Sequence, residues 1–150
     1  ILQAGLNVGL GCDGAAPSNL DLFDEIKALR YSMIAYWGLP SFNPVVMTCP
    51  TLLKMAAWGG ANAIGKGDIL GAVEEGRKAD VILLNIDQPH LTPTQNLINT
   101  IVEAANGHDV TDSIINGKIV MKNREVLTLD EEKVRREAQI HTEEIIKRAY

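Results

Sequence analysis

The sequence predicts an α/β fold on three observations. A short apolar run bounded by glycines, Leu6 to Leu10, leads to Asp13 and is followed by residues at amphipathic-helix spacing. After Gly67 the style changes to brief β-prone runs separated by turn residues. A long, highly charged helical pattern then closes the chain. With 150 residues, 46% of them apolar, the chain fits one or at most two domains and can bury a real core. The net charge is −5, and the 14 basic residues are scattered among 19 acidic ones, which argues against a nucleic-acid surface. No apolar run reaches the roughly 18 residues of a membrane span, and the first residues lack the layout of a signal peptide. A cytoplasmic location is the expectation. Cys12 and Cys49 lie far apart, without a C-x-x-C pattern, and read as two reduced, mostly buried thiols. The chain starts at Ile1, inside an apolar run, and so reads as a piece of something longer.

Taken in order, Leu6 to Leu10 reads as a buried strand ending near Cys12 or Asp13. Ser18 or Asn19 is the expected N-cap of the next helix, with Asp21, Asp24 and Glu25 placing negative charge where the helix dipole favours it. Leu22, Phe23, Ile26, Leu29, Met33 and Tyr36 line one face of that helix, which ends at Gly38-Leu39-Pro40. A loop follows. Thr48 and Pro50 mark the cap and first turn of a second helix running to Gly65. Its middle carries Gly59-Gly60, which cost roughly 1 kcal/mol each against alanine unless close packing compensates. Ile69 to Val73 and Ala79 to Ile86 are strand candidates joined by the turn at Glu75-Gly76-Arg77. Leu97 to Ala105 reads as helical or irregular and stops at Asn106-Gly107. Asn116-Gly117 is a strong hairpin signal between Ser113–Ile115 and Lys118–Met121, and Glu125 to Leu127 supplies a third strand after a turn. A helix from about Asp130 to Ala149 ends the chain, with Thr128 and Glu131 spaced as a capping box.

Gly9, Gly11 and Gly14 spell G-x-G-x-x-G, the pattern that elsewhere cradles a dinucleotide pyrophosphate. That reading requires a helix to start within the motif. Pro17 stands where its first turn belongs, Asp13 would set a carboxylate against the pyrophosphate, and no strand ending in an acid follows about twenty residues later. In the alternative, the strand delivers Asp13 at its carboxyl end, where α/β folds build sites, as a candidate metal ligand or general base. A third reading leaves Asp13 merely capping a turn.

The segment GCDGAAPSNLDLFDEIK resembles the stretch after the eighth barrel strand in the amidohydrolase superfamily, in its adenosine-type aminohydrolase branch. The later segments LLKMAAWGGANAIG, GAVEEGRKADVILLNIDQPHLTP and ANGHDVTDSIINGKIVMKN resemble that family in the same order, so the likeness covers nearly the whole chain. It implies the carboxyl-terminal piece of a (β/α)₈ barrel over residues 1–66, part of a small β-sandwich domain over 67–128 and a terminal helix over 129–150. It further implies one divalent metal, zinc or alternatively iron or manganese, and hydrolytic deamination of nucleosides such as S-adenosylhomocysteine or methylthioadenosine. The family's metal ligands are histidines, including a His-x-His pair, and an aspartate after the eighth strand. Only the aspartate is found, at Asp13, in the roles of metal ligand and catalytic proton acceptor; His90, His108 and His141 fall in other segments. The expectation is an enzyme part that is inactive alone, either homo-oligomeric or in need of its missing amino-terminal part.

Other residues have blander readings. Ser18 and Asn19 cap a helix, His90 sits in a turn, and Trp37 and Trp58 belong to the core. The methionines pack, and the charges of the last helix face water. The competing class is a non-catalytic structural or partner-binding domain.

Overall fold

The structure is a computed structural model that describes residues 4–13, 20–43 and 46–149. The expectations for Gly14 and Pro17 lie outside the described residues. Helix α1 (Leu22–Met33) widens into a π-helical turn over Ile34–Gly38. Helices α2 (Cys49–Lys54) and α3 (Gly60–Ala63) are joined by a second π-helical turn, Met55–Gly59, into one rod. Thr48 caps α2 by accepting from the Thr51 amide, and Pro50 occupies its first turn, where no amide donor is needed.

Strands β1 (Val81–Leu84), β2 (Val110–Ile115), β3 (Lys118–Lys122) and β4 (Glu125–Val126) form one antiparallel sheet in the order β1-β2-β3-β4. Val81 faces Ile114, Ser113 faces Met121, and Met121 faces Val126. The β2–β3 hairpin turns at Asn116 (φ 51°) and Gly117 (φ 78°), the left-handed pair that matches the twist of the flanking strands. Helix α4 (Leu97–Ala104) lies between β1 and β2 in sequence and packs away from the sheet, onto α2 and α1. Ile26 of α1, Cys49 and Leu52 of α2 and Val102 of α4 form the buried cluster, with Leu10, Leu29 and Met47 against it. Helix α5 (Glu131–Ala149) is exposed throughout, as its charge pattern predicts.

Several expectations are corrected. Leu6 to Leu10 runs without a strand ladder, and Leu6 is exposed. An extended segment needs a neighbouring strand to become one, and this segment rests on a helix instead. The cap of α1 is Asp21, whose side chain accepts from the Phe23 amide; the expected caps Ser18 and Asn19 lie outside the described residues. Ile69 to Val73 is a turn region, not a strand. Arg77 donates to the carbonyls of Gly67 and Leu70, and Gly71 at φ 84° presses so close to Trp58 that a Cβ there would lie 2.6 Å from the Trp58 Cα. Asp130, not Thr128, caps α5 by accepting from the Lys133 amide at 2.9 Å. Trp37 is exposed rather than core, stacked edge-on with Tyr36, whereas Trp58 is half-buried and donates to the Gly67 carbonyl.

Candidate active site

Asp13 ends the extended segment, and its position is set by how that segment meets the α2–α3 rod. The Asn7 amide donates to the Gly59 carbonyl at 2.9 Å. A Cβ on Gly9 would lie 2.8 Å from the Gly60 Cα, and one on Gly59 would overlap the Val8 carbonyl oxygen. Backbone therefore lies directly on backbone. This is the close packing expected at the paired glycines, and it falls on Gly59, since any side chain at Gly9 or Gly59 would lift the segment off the helix, whereas a Cβ on Gly60 would meet open space. Beyond this contact Leu10 turns into the core cluster. Three residues further on, Asp13 stands exposed. Its backbone is left-handed (φ 43°), a conformation that asparagine and aspartate tolerate best among residues with a side chain, at a cost on the order of 1 kcal/mol.

The same geometry weakens the dinucleotide reading. Among the described residues the first α-helix after the glycines starts at Leu22, and Asp21 occupies its cap. Its first amides thus sit well beyond the glycine motif, and a carboxylate fills the place a pyrophosphate would take.

Around the entry to α1 runs a polar seam that sequence reading missed. The Asp21 carboxylate accepts from the Gly107 amide at 2.7 Å, Lys27 donates to the Ala105 carbonyl at 3.2 Å, and Arg30 pairs with Glu103 at 2.5 Å. Arg30 also donates to the Met47 carbonyl at 2.7 Å. Burial pushes the Cys49 thiol up in pKa, with Glu103 adding to the effect against Arg30, so this cysteine is kept as a packing residue rather than a nucleophile. Burial acts first on Tyr31 too, and the charge of Glu103 pushes the phenol in the same upward direction.

The turn Gly107–Asp109 is held by its own network. Asn106 accepts from the His108 amide, and the buried Asp109 carboxylate accepts from the Asn106 amide at 2.9 Å. His90, in the turn Pro89–Leu91 as expected, places Nε2 3.1 Å from Asp109. Burial alone would push Asp109 up. The hydrogen bonds from His90 and Asn106, with the nearby imidazoles of His90 and His108, outweigh it and hold the carboxyl below its usual value. His108 is exposed in the same turn, and His141 lies on α5 within 3.6 Å of Glu144.

A single carboxylate suits a divalent cation as one ligand among several. Among the described residues no three His, Cys, Asp or Glu side chains gather to hold a metal ion. The described residues therefore do not complete a metal site, and Asp13 is the one among them that the family resemblance singles out as a ligand. Nor is any helix among the described residues long and apolar enough to cross a membrane.

This chain belongs to the amidohydrolase family, whose model matches residues 1–120. It is 45% identical over 140 residues to a 5-methylthioadenosine/S-adenosylhomocysteine deaminase of Pelotomaculum thermopropionicum, covering 93% of this chain and 31% of that protein. It is 41% identical to a 5'-deoxyadenosine deaminase of Methanosarcina acetivorans, covering 99% of this chain and 33% of that one. Among solved structures, an adenosine deaminase from Xanthomonas campestris with bound zinc superposes with a TM-score of 0.88 at 27% identity, over 97% of this chain and 33% of that chain. An atrazine chlorohydrolase from Arthrobacter aurescens, at 24% identity and a TM-score of 0.75, shares the fold over 93% of this chain and 30% of its own. The chain thus spans about a third of the length of the curated relatives it matches.

Proposed function

We propose that this chain supplies the carboxyl-terminal part of a metal-dependent aminohydrolase that deaminates adenosine-type nucleosides, with S-adenosylhomocysteine and methylthioadenosine as the first substrates to try. The observation that carries the reading is the 45% identity, over nearly the whole chain, to a deaminase named for those two substrates. The division proposed is last barrel strand and helices over 1–66, small β-domain over 67–128 and terminal helix over 129–150. Large apolar side chains left in water on every part of the chain, among them Phe42 at 92% exposure, support a fold whose core is completed by further polypeptide. The location proposed is cytoplasmic.

In this reading Asp13 is the metal ligand that this part contributes, the remaining ligands being histidines from the rest of the protein. The zinc of the adenosine deaminase neighbour supports zinc as the metal. Such a metal supplies a water of lowered pKa when bound. The part played by this chain is proton handling at Asp13. In the completed site Asp13, exposed at the end of the glycine-supported segment, would be one of the residues holding the metal and the group able to take up a proton from the attacking water and return one to the departing amine. A neutral amide at this position accepts a hydrogen bond but holds no proton. General acid–base help of this kind is worth about 10²–10⁴-fold. The full-length protein is expected to release ammonia from methylthioadenosine or S-adenosylhomocysteine, and Asp13→Asn to lower kcat by at least about 10². Wild-type turnover in that variant excludes Asp13 from the chemistry. A full-length protein that deaminates no adenosine-type nucleoside overturns the reading as a whole. The 150-residue chain by itself is expected to be inactive.

A further inference from the structure

We propose that Asn116 is a site of spontaneous deamidation, and that Asn106, which is followed by the same residue, is held back from that reaction by the Asp21 carboxylate. Each asparagine precedes a glycine, so no Cβ stands beside the next backbone nitrogen. In the reaction the glycine amide gives its proton to a base in the solvent, and its nitrogen attacks the asparagine Cγ. The N–Cγ bond forms, the Cγ–Nδ2 bond breaks, and the departing amine takes that proton back and leaves as ammonia. Water then opens the cyclic imide. Cleavage of the N–Cγ bond leaves aspartate, whereas cleavage between the nitrogen and the backbone carbonyl carbon leaves isoaspartate, with one more carbon in the main chain. Two freedoms are needed: the side-chain amide must be able to turn, and the glycine N–H must be able to lose its proton.

Asn116 has both. It lies with Gly117 in the exposed turn between β2 and β3, and a Cβ added at Gly117 would meet open space. The Asn116 side-chain amide has no hydrogen-bond partner among the described residues. Backbone holds this turn instead: the Asn116 N–H donates to an Asp80 carboxylate oxygen at 2.6 Å, and the Gly117 N–H to the Ala79 carbonyl at 2.9 Å. The first contact engages neither reacting group, and the second is a neutral bond at the tip of a hairpin, which local opening releases. Asn106 has neither freedom. Its Oδ1 accepts from the His108 amide at 2.8 Å while its own N–H donates to Asp109, so the side chain is locked in a capping box. The Gly107 N–H donates to Asp21 Oδ2 at 2.7 Å. A negative charge on that N–H opposes loss of its proton, and a charge-assisted bond is about twice as strong as a neutral one. Conversion at Asn116 bears on the sheet, because it adds negative charge to a turn already bound to Asp80, and isoaspartate lengthens a two-residue turn whose backbone matches the strand twist.

The test incubates the full-length protein in mildly alkaline buffer and follows the two Asn-Gly peptides by mass spectrometry, with fragmentation that separates aspartate from isoaspartate. Asn116 is expected to convert at least about tenfold faster than Asn106, the difference that one charge-assisted hydrogen bond makes. In urea, where both glycine amides are free, the two rates are expected to converge. Gly117→Ala is expected to suppress conversion at Asn116, since a Cβ beside the nitrogen hinders ring closure. Asp21→Asn keeps a side-chain oxygen for the Phe23 amide but removes the charge, and is expected to speed Asn106 while leaving Asn116 alone. Conversion of Asn106 as fast as that of Asn116 in the folded wild type overturns the inference, as does an unmodified Asn116 in folded protein when the urea-treated protein converts there. Undiminished conversion in Gly117→Ala, the mark of direct amide hydrolysis, overturns it as well, and so does an Asn106 rate that a folded Asp21→Asn leaves unmoved. Should Asp21→Asn fail to fold, the ratio of the two wild-type rates, folded against urea-treated, decides in its place: a ratio that folding raises upholds the inference, and one that folding leaves unchanged overturns it.

Discussion

The Gly9–Gly59 contact and the β2–β3 hairpin use glycine for opposite reasons. In the helical half, Gly9 and Gly59 are there because of what touches them: backbone meets backbone, and a single methyl group would have to enter it. In the sheet half, Gly117 has open space around the place of its missing Cβ and is there because its φ is 78°. The first kind of glycine fixes a distance between two elements, and the second fixes the direction of a chain. The distance-setting pair is the one that supports Asp13, so the site depends on close packing, whereas the sheet depends on local turn chemistry and on a ladder that pairs internally.

Perturbations that sharpen this contrast fall in a clear order when read by urea unfolding of the full-length protein. Leu52→Ala, in the fully buried centre shared by α1, α2 and α4, is expected to cost about 2–5 kcal/mol. Gly59→Ala forces a methyl into the Val8 backbone and is expected to cost about 1–3 kcal/mol while also lowering kcat, because the segment bearing Asp13 must move. Gly117→Ala should cost about 1 kcal/mol through its left-handed backbone alone and leave kcat untouched. Equal effects of the two glycine changes on kcat break the contrast.

Asp109 gives a pH-dependent version. Its folded pKa is lowered, so its contribution to stability is present above the unfolded value, near 3.8, and is lost as pH falls through the lowered folded value. Asp109→Asn is therefore less stable than wild type at neutral pH, and the gap should close only in acid below about pH 4. A gap that stays constant from neutral pH down to pH 2 contradicts the stated cause.

Much of this was readable from local chemistry. Thr48 with Pro50, the Asn116-Gly117 hairpin and the demand of Gly59-Gly60 for a close neighbour all follow from residues within a few positions of one another. What escaped was decided at long range. Ser18 and Asn19 look as good a cap as Asp21 until Gly107, far along the chain, engages the Asp21 carboxylate. Ile69 to Val73 carries the composition of a strand, but the Arg77 guanidinium and the Trp58 backbone fold it into a turn. The seam of Lys27 and Arg30 left no periodic signal, because charged residues on a helix face read as solvated. Asp13 was legible as a residue of interest from its glycines and its resemblance. The partners proposed for it were not, since a ligand set drawn from other segments would leave no trace beside it.

The most direct test is a crystal structure of the full-length protein loaded with zinc and located by anomalous scattering. The account predicts an Asp13 carboxylate oxygen about 2.0–2.2 Å from the metal. A metal bound by other residues, with the Asp13 side chain turned away into solvent or a salt bridge, contradicts it.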